Sequence, residues 1–400
     1  MKRKIRSLFA TLYLVSLIVP TPVLAFDWQA HDLSHLVLVA NRNADELTII
    51  DMTTDKVIGK QKIEMNSQAH MAMFSPDGKK LAIAATDNGL ISIVNLNNNA
   101  VNNVRVGAGP EHMDISKDNR WLFVGNIEEG TVSQVDLSQN IETARFQGFR
   151  EPHGATILSN KVYVPNRGAQ LVGLIETNQQ SLVKNIPVGS LVGLASLDRD
   201  QMGAAMHRER SFSANGVANV TLTQDEKFAY AAVGDANVVE VVDTATNQVV
   251  KTIPVGQDPW RAYASPNGKY MLTPNNGDQT VSLIDVKTQS VKTTLQGGPD
   301  MTGVNFNHDG TKAYVISRGA NQIYVYDLTT GSKMNQLDIG PQARLETASV
   351  SPAGKKIYVA SSKDNSIYVV DMESDSFKQI ANVGNFPWGV TIYKGQNYCH

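Results

Sequence analysis

The stretch Val238–Asp285, VVEVVDTATNQVVKTIPVGQDPWRAYASPNGKYMLTPNNGDQTVSLID, contains one complete copy of a unit that the rest of the chain repeats. Short runs rich in Val, Ile, Thr and Tyr alternate within it with turns of Gly, Pro, Asn and Asp. Runs of this kind predict antiparallel strands, here four in each unit.

The repeat can be counted at the polar residue that ends one strand type, as Asp243 and Asp285 do in this stretch. Successive markers lie 44, 41, 40, 67, 42, 42 and 44 residues apart. The eight markers are Asp51, Asn95, Asp136, Glu176, Asp243, Asp285, Asp327 and Asp371. Four strands in about 40–45 residues is the period of a propeller blade. The sequence therefore predicts an all-β, eight-bladed β-propeller, in which the longest step contains one blade plus an insertion at 191–212.

The two ends of the chain complement each other. Residues 36–63 supply three strands of a blade that lacks its innermost strand, whereas Pro387–Tyr393, PWGVTIY, is an innermost strand with no blade after it. We therefore expect the C-terminal strand to complete the first blade, because that closure removes the open sheet edges.

The first 25 residues predict a cleaved signal peptide. Lys2, Arg3, Lys4 and Arg6 precede an apolar run that is too short for a membrane span, and small residues follow at the cleavage positions. The mature protein is expected to be a single propeller domain over 26–400, periplasmic or secreted, with no membrane span.

Charge and cysteine content exclude several classes of protein. Removing the four positive charges of the leader changes the formal net charge from −2 to −6, which disfavours nucleic-acid binding. The one cysteine, Cys399, allows no internal disulfide and no Cys-x-x-Cys-His attachment of a c-type haem. Neither a nucleophile elbow, a Gly-rich phosphate loop nor a His-Glu-x-x-His motif is present.

Three histidines are predicted to meet at the mouth of the central channel. Counting back five residues from the turn after each innermost strand gives one mouth residue per blade. Blade 4 has a shorter turn, and aligning its innermost strand with the others places His153 at the same level. The others are His70, Glu111, Ala218, Trp260, Thr302, Glu346 and Trp388. His112 lies one residue further along its strand, so His70, His112 and His153 come from three consecutive blades. Histidine suits metal or haem-iron ligation and proton transfer, although each could simply be a hydrogen-bonding residue.

Arginines are predicted to surround the same mouth, in the loops that lie on its face of the propeller. They include Arg150, Arg167, Arg261, Arg318 and Arg344, whereas many lysines occupy the turns of the opposite face. Because arginine binds carboxylates and phosphates in bidentate fashion, this placement favours an anionic ligand. The alternative is that these arginines pair with acidic residues on the same face, such as Glu346.

Repeats such as Val249–Gly256 and Lys356–Ala360 resemble the YVTN propeller repeats of secreted bacterial proteins. The eight blades and the histidine-bearing mouth also resemble the d1-haem propeller of periplasmic cytochrome cd nitrite reductases and of its single-domain relative in d1-haem biosynthesis. That resemblance implies a polycarboxylate tetrapyrrole beneath the histidines, clamped by arginines such as Arg150, Arg167 and Arg261.

Three functions follow from these patterns as hypotheses. The first is a propeller that binds a ligand or protein partner at its His/Arg face without demonstrated catalysis. The second is a protein of d1-haem or another tetrapyrrole, acting in biosynthesis or as an oxidoreductase. The third is a scaffold for protein contacts alone. A metal ion held by His70, His112 and His153 is a further possibility for the site.

Overall fold

Eight β-sheets arranged as the blades of a closed propeller make up the protein in a computed structural model that describes residues 26–63, 68–177, 181–192 and 216–398. The predicted leader, Cys399 and most of the predicted insertion lie outside the described residues.

The blades follow each other along the chain, four strands to a blade. Blade 1 contains β1 (Leu36–Asn41), β2 (Glu46–Asp51) and β3 (Lys56–Lys62). Blades 2 and 3 contain β4 (Ala69–Phe74), β5 (Lys80–Ala85), β6 (Leu90–Asn95), β7 (Val101–Arg105), β8 (Pro110–Ile115), β9 (Trp121–Asn126), β10 (Thr131–Asp136) and β11 (Ile141–Gln147). Blades 4 and 5 contain β12 (Thr156–Leu158), β13 (Lys161–Pro165), β14 (Leu171–Glu176), β15 (Ser181–Pro187), β16 (Val217–Leu222), β17 (Phe228–Val233), β18 (Val238–Asp243) and β19 (Gln248–Pro254).

The remaining strands complete the ring. Blades 6 and 7 contain β20 (Tyr263–Ala264), β21 (Tyr270–Asn275), β22 (Thr280–Asp285), β23 (Ser290–Gln296), β24 (Met301–Phe306), β25 (Lys312–Ser317), β26 (Gln322–Asp327) and β27 (Ser332–Asp338). Blade 8 contains β28 (Leu345–Val350), β29 (Lys356–Ser361), β30 (Ser366–Asp371) and β31 (Ser376–Ile380), and the chain ends with β32 (Pro387–Ile392) and β33 (Gln396–Tyr398). Short 3-10 turns occupy Trp28–Ala30, Leu33–His35, Gly189–Leu191 and Gly234–Ala236.

The C-terminal strand closes the ring as the sequence predicts. β32 pairs antiparallel with β1, from Val37 opposite Ile392 to Asn41 opposite Pro387. Blade 1 thus gains its innermost strand, and the predictions of eight blades and of this closure are confirmed. β33 was not predicted: it pairs with the innermost strand of blade 8, where Ala348 lies opposite Tyr398.

Each marker residue ends the third strand of its blade, and local turn chemistry explains why it recurs. The Asp51 carboxylate accepts hydrogen bonds from the backbone N–H groups of Thr53 (2.7 Å) and Thr54 (2.9 Å). Four residues after the marker, Asp55 has a positive φ of 52°, a conformation that Asp and Asn tolerate. The markers are therefore scaffold residues.

The blades stack through apolar faces and through a recurring contact that we call the inter-blade clasp. In blade 8, Lys356 and Tyr358 lie on one face of β29 because they are two residues apart. They donate hydrogen bonds of 2.8 and 2.6 Å to the carboxylate of Asp55 in blade 1. Equivalent clasps join blade 4 to blade 5 and blade 7 to blade 8, through Lys161 and Tyr163 to Asn247, and through Lys312 and Tyr314 to Asp375.

Two faces of the propeller follow from this topology. The upper face carries the connections into each innermost strand and those between the second and third strands, and the lower face carries the other turns. The five predicted arginines all lie in upper-face connections, at Arg150, Arg167, Arg261, Arg318 and Arg344. The chain also leaves β15 and enters β16 on this face, so the insertion is attached there.

Candidate functional site at the channel mouth

A bulge interrupts the pairing of several innermost strands at the level of the mouth. In β4, Ala69 lies opposite Ala85 but Met71 lies opposite Ala84, so His70 has no partner of its own in the ladder. In β8 the ladder jumps from Pro110 to Met113 and leaves Glu111 and His112 in the bulge. Because a bulge redirects side chains, it explains why the predicted mouth residues share one level. Similar shifts occur in blades 5, 7 and 8, at Ala218, Thr302 and Glu346.

The structure brings the three predicted histidines side by side. His70, His112 and His153 are each less than 9% exposed. The ring centroids of His70 and His112 are 5.7 Å apart, and those of His112 and His153 are 4.4 Å apart. Tryptophans extend this row at both ends, with Trp388 5.8 Å from His70 and Trp260 5.9 Å from His153. We call these five rings the aromatic arc.

Two glycines allow the innermost strands to approach closely enough to form the arc. A Cβ on Gly154 would lie 2.8 Å from the Cβ of His112, and one on Gly389 would lie 2.6 Å from the carbonyl oxygen of His70. Real Cβ atoms do not make such contacts. The dipeptide His153-Gly154 thus combines a site residue with the space that its neighbour needs.

Glu111 joins the histidines as a site residue. Its Oε2 lies 3.2 Å from Nε2 of His153, whose Nδ1 lies 2.9 Å from the carbonyl oxygen of Ala218. Burial alone would raise the pKa of Glu111, but the hydrogen bond from His153 and the nearby positive charges lower it to about 2. Glu111 is therefore a carboxylate at neutral pH. The strand register in the sequence predicts Glu111 at the mouth but indicates no role for it.

His70 has a different environment from His153. Burial lowers its pKa to about 4, and the charges of Arg42, His153 and Arg261 oppose the partial compensation by Glu111. The ring is therefore neutral at physiological pH. Its Nδ1 has no hydrogen-bond partner among the described residues.

Several arginines border the histidine half of the mouth. The guanidinium carbon of Arg42 lies 4.7 Å from the ring centroid of Trp388, and the buried Arg261 lines the same cavity as His112 and His153. Nη1 of Arg150 is buried and has no hydrogen-bond partner within the described ranges. Arg167 contacts Glu151 at 3.2 Å, and both side chains are partly exposed.

The other half of the mouth is neutralised by its own acidic residues. Arg318 forms ion pairs with Asp300 (2.7 Å) and Glu346 (3.2 Å), and Arg344 contacts Glu346 at 3.0 Å. Burial alone would lower the pKa of Arg318, but these two carboxylates raise it. Glu346 is completely buried and also accepts a hydrogen bond from Ser362. For Arg318 and Arg344, the geometry therefore matches the alternative of internal ion pairing.

Two cavities open near the mouth. One of about 190 Å³ lies beneath the histidines and is lined by His112, His153, Arg261 and, from the C-terminal strand β33, Asn397. The other, of about 400 Å³, lies between Trp260 and Arg318. The methionines next to the histidines, Met71 and Met113, pack in the apolar layer between blades 2 and 3.

Comparison with known proteins supports the resemblance drawn from the sequence. The profile of the Cytochrome D1 heme domain family matches residues 31–189 and 220–363. The chain belongs to this family.

Individual relatives are more distant. A dihydro-heme d1 dehydrogenase of Pseudomonas aeruginosa is 24% identical over 237 residues, which are 56% of this chain and 44% of that protein. The chain thus spans less than half the length of this curated relative.

Two solved structures superpose on most of this chain. The structure of the dihydro-heme d1 dehydrogenase NirN in complex with DHE superposes with a TM-score of 0.71 at 17% identity, covering 91% of this chain and 76% of that one. A hydrazine synthase of Kuenenia stuttgartiensis superposes with a TM-score of 0.52 at 20% identity, over 78% of this chain and 95% of that one. Among the described residues of this chain, no helix has the length and apolarity to span a membrane.

Proposed function

We propose that this protein binds a d1-type tetrapyrrole at the upper mouth of its channel, with the aromatic arc facing the macrocycle. The observation that carries the proposal is the coincidence of family membership with three adjacent imidazoles at one mouth. A bound d1-type haem would supply redox-active iron within a conjugated ring. The residues of this chain would bind and orient it.

The polar groups of the mouth fit such a ligand. The buried Nδ1 of His70 and Nη1 of Arg150 lack partners among the described residues, and a polar ligand would satisfy both. The space beneath the histidines, about 190 Å³, falls short of the 300–1,000 Å³ or so that typical ligand pockets provide. The macrocycle would therefore lie across the mouth and not inside the channel.

The distribution of charge predicts how the ligand would be oriented. Arg318 and Arg344 already face Glu346 and Asp300, so their charge is largely compensated. Arg150, Arg167 and Arg261 belong to the opposite half of the mouth, where Arg167 pairs with the partly exposed Glu151 and where Glu111 supplies a second negative charge among the described residues. We place the carboxylates of the tetrapyrrole on that half, where bidentate arginine contacts are available.

Binding is the function that the geometry supports, and turnover is not needed to explain it. The apolar run of the predicted leader supports export, so we place the mature protein in the periplasm or outside the cell. Its acidic charge after cleavage argues against a nucleic-acid partner.

The test is a titration of the purified mature chain with haem d1 and with haemin, followed by the absorbance of the macrocycle. Replacing Arg150 by Ala removes a charged contact worth about 1.5–3 kcal/mol, so affinity should fall roughly 10- to 100-fold. Arg344→Ala is the matched control, because Arg344 lies on the same face but pairs with Glu346. Equal loss in both variants would contradict the proposed orientation. Absence of binding by the parent protein would overturn tetrapyrrole binding and favour a protein partner.

A further inference from the structure

The cluster formed by Glu111, His112 and His153 has the composition of a metal site. One ligand atom from each of these residues lies within 4.8 Å of the other two. His112 and His153 are buried, and Glu111 is partly buried. Two imidazole nitrogens and one carboxylate oxygen suit Zn²⁺, Fe²⁺, Co²⁺ or Ni²⁺, whereas Mg²⁺ and Ca²⁺ prefer oxygen alone.

The contact between His153 and Glu111 needs either a proton or a metal ion between the two facing atoms. The Ala218 carbonyl can only accept a hydrogen bond, so Nδ1 of His153 carries a proton and donates it. If the ring is neutral, its Nε2 then directs a lone pair at the Glu111 oxygen 3.2 Å away. Two lone pairs facing each other repel, so either a second proton or a metal ion must lie between them.

The observed distance suits a shared metal ion. Metal bonds of about 2.0–2.2 Å to histidine and carboxylate, at an angle between 90° and the tetrahedral angle of about 109°, place the two ligand atoms about 2.8–3.6 Å apart. The separation of 3.2 Å falls in that interval. The bond from Nδ1 to the Ala218 carbonyl is also the outer contact that fixes the tautomer of a metal-ligating histidine.

A third histidine, His70, lies beside the cluster. Its ring borders that of His112 at 5.7 Å, it is 5% exposed, and its Nδ1 has no partner among the described residues. A water molecule on an ion held by the cluster would give this nitrogen a partner.

We propose that Glu111, His112 and His153 bind one divalent first-row transition-metal ion, with His70 beside the site and not among its ligands. Three protein ligands leave a coordination position open, next to the cavity beneath the mouth. The site differs from the predicted three-histidine set by having Glu111 in place of His70. It also goes beyond tetrapyrrole binding, because all three ligands are side chains of the chain itself and the ion would bind without a macrocycle.

The experiment uses the mature, untagged chain, stripped with a chelator and titrated with Zn²⁺ and Co²⁺ in the absence of any tetrapyrrole. Cys399→Ser is introduced into every protein so that the thiol contributes nothing. We expect one ion per chain and visible Co²⁺ absorption typical of nitrogen and oxygen ligands. Glu111→Gln and His153→Gln should each weaken binding at least about 100-fold, beyond the 10- to 100-fold typical of changes outside the ligand set.

Two further variants make the result specific. His308→Gln removes a histidine from a lower-face turn and should leave the affinity unchanged, and His70→Ala should change it only a few-fold. Strong loss in His70→Ala with normal binding by Glu111→Gln would overturn our ligand set in favour of the three histidines. Should the parent protein bind no ion, the bridging cation is a proton and the metal proposal is wrong. That result would not affect the haemin titration, which uses a different probe.

Discussion

Replacing Asp55 by Ala should destabilise the closed ring by about 5 kcal/mol. The carboxylate accepts hydrogen bonds from Lys356 (2.8 Å) and Tyr358 (2.6 Å) and forms an ion pair with Lys378. The Lys378 side chain is 60% exposed, so that pair adds little. Breaking a buried charged pair costs about 3–5 kcal/mol, and alanine at the φ of 52° adds roughly 1 kcal/mol.

Asparagine at the same position separates these contributions. Asp55→Asn keeps an oxygen acceptor for Tyr358 and tolerates the left-handed backbone, so we expect a loss of only about 2 kcal/mol. Urea unfolding followed by tryptophan fluorescence measures both variants through the shift in midpoint. Asp375→Ala, which breaks the equivalent clasp between blades 7 and 8, serves as the control and should cost within about 1 kcal/mol of Asp55→Ala. A loss below 1 kcal/mol in Asp55→Ala, or equal losses in the Ala and Asn variants, would refute this reasoning.

The contribution of Asp55 should depend on pH in a defined direction. Burial alone would raise its pKa, but the hydrogen bonds from Lys356, Lys378 and Tyr358 lower it below the ordinary value of 3.8. A group whose pKa is lower in the folded than in the unfolded protein contributes its full stabilisation of the fold at pH values above the unfolded-state pKa. This stabilisation disappears as the pH falls through the folded-state pKa. The stability difference between the parent protein and Asp55→Asn should therefore be constant above about pH 5 and shrink below about pH 4.

Three further predictions concern the closure and the mouth. Deleting residues 386–400 removes β32 and β33 and should cause aggregation in size-exclusion chromatography, whereas deleting 396–400 should not; equal behaviour would contradict the closure. Glu346→Gln should lower stability by about 3 kcal/mol yet tighten haemin binding several-fold, since Arg318 and Arg344 lose their shared counter-charge, and weaker binding would refute the charge argument. Gly154→Ala should cost about 1–3 kcal/mol through overpacking against His112 and weaken Zn²⁺ binding, so an unchanged Zn²⁺ affinity would contradict the close approach of the strands.

Features set by local chemistry could be predicted from the sequence. The blade count rests on the marker residue and the positive-φ residue four positions later, as at Asp51 and Asp55, and that turn needs no distant partner. The position of the mouth residues along each innermost strand could be predicted, because every such strand runs from the mouth to a turn of nearly constant length. Counting back from that turn therefore located the bulges that contain His70 and Glu111.

Features that depend on contacts between distant parts of the chain could not be predicted. The strand β33 contains only three polar or aromatic residues, Gln396–Tyr398, and forms because the open edge of β28 is beside it. The pairing of Glu111 with His153 joins two blades, and it requires the bulge in β8 to turn the carboxylate toward the next strand. Arginine content alone likewise could not show which guanidinium groups would find carboxylates of the same face.

The division of the mouth into two halves explains how one ring of side chains can both stabilise the propeller and leave room for a ligand. Around Glu346, two arginines and a serine satisfy a buried carboxylate, and this network joins blade 7 to blade 8. A ligand carboxylate would have to displace Glu346 there, and an uncompensated buried charge is costly. Around His70 and Arg150, polar atoms without partners in the described chain remain buried. A ligand that formed hydrogen bonds with these atoms would remove the free-energy cost of leaving them unsatisfied. Binding should therefore be confined to the histidine half, even though arginines surround the whole mouth.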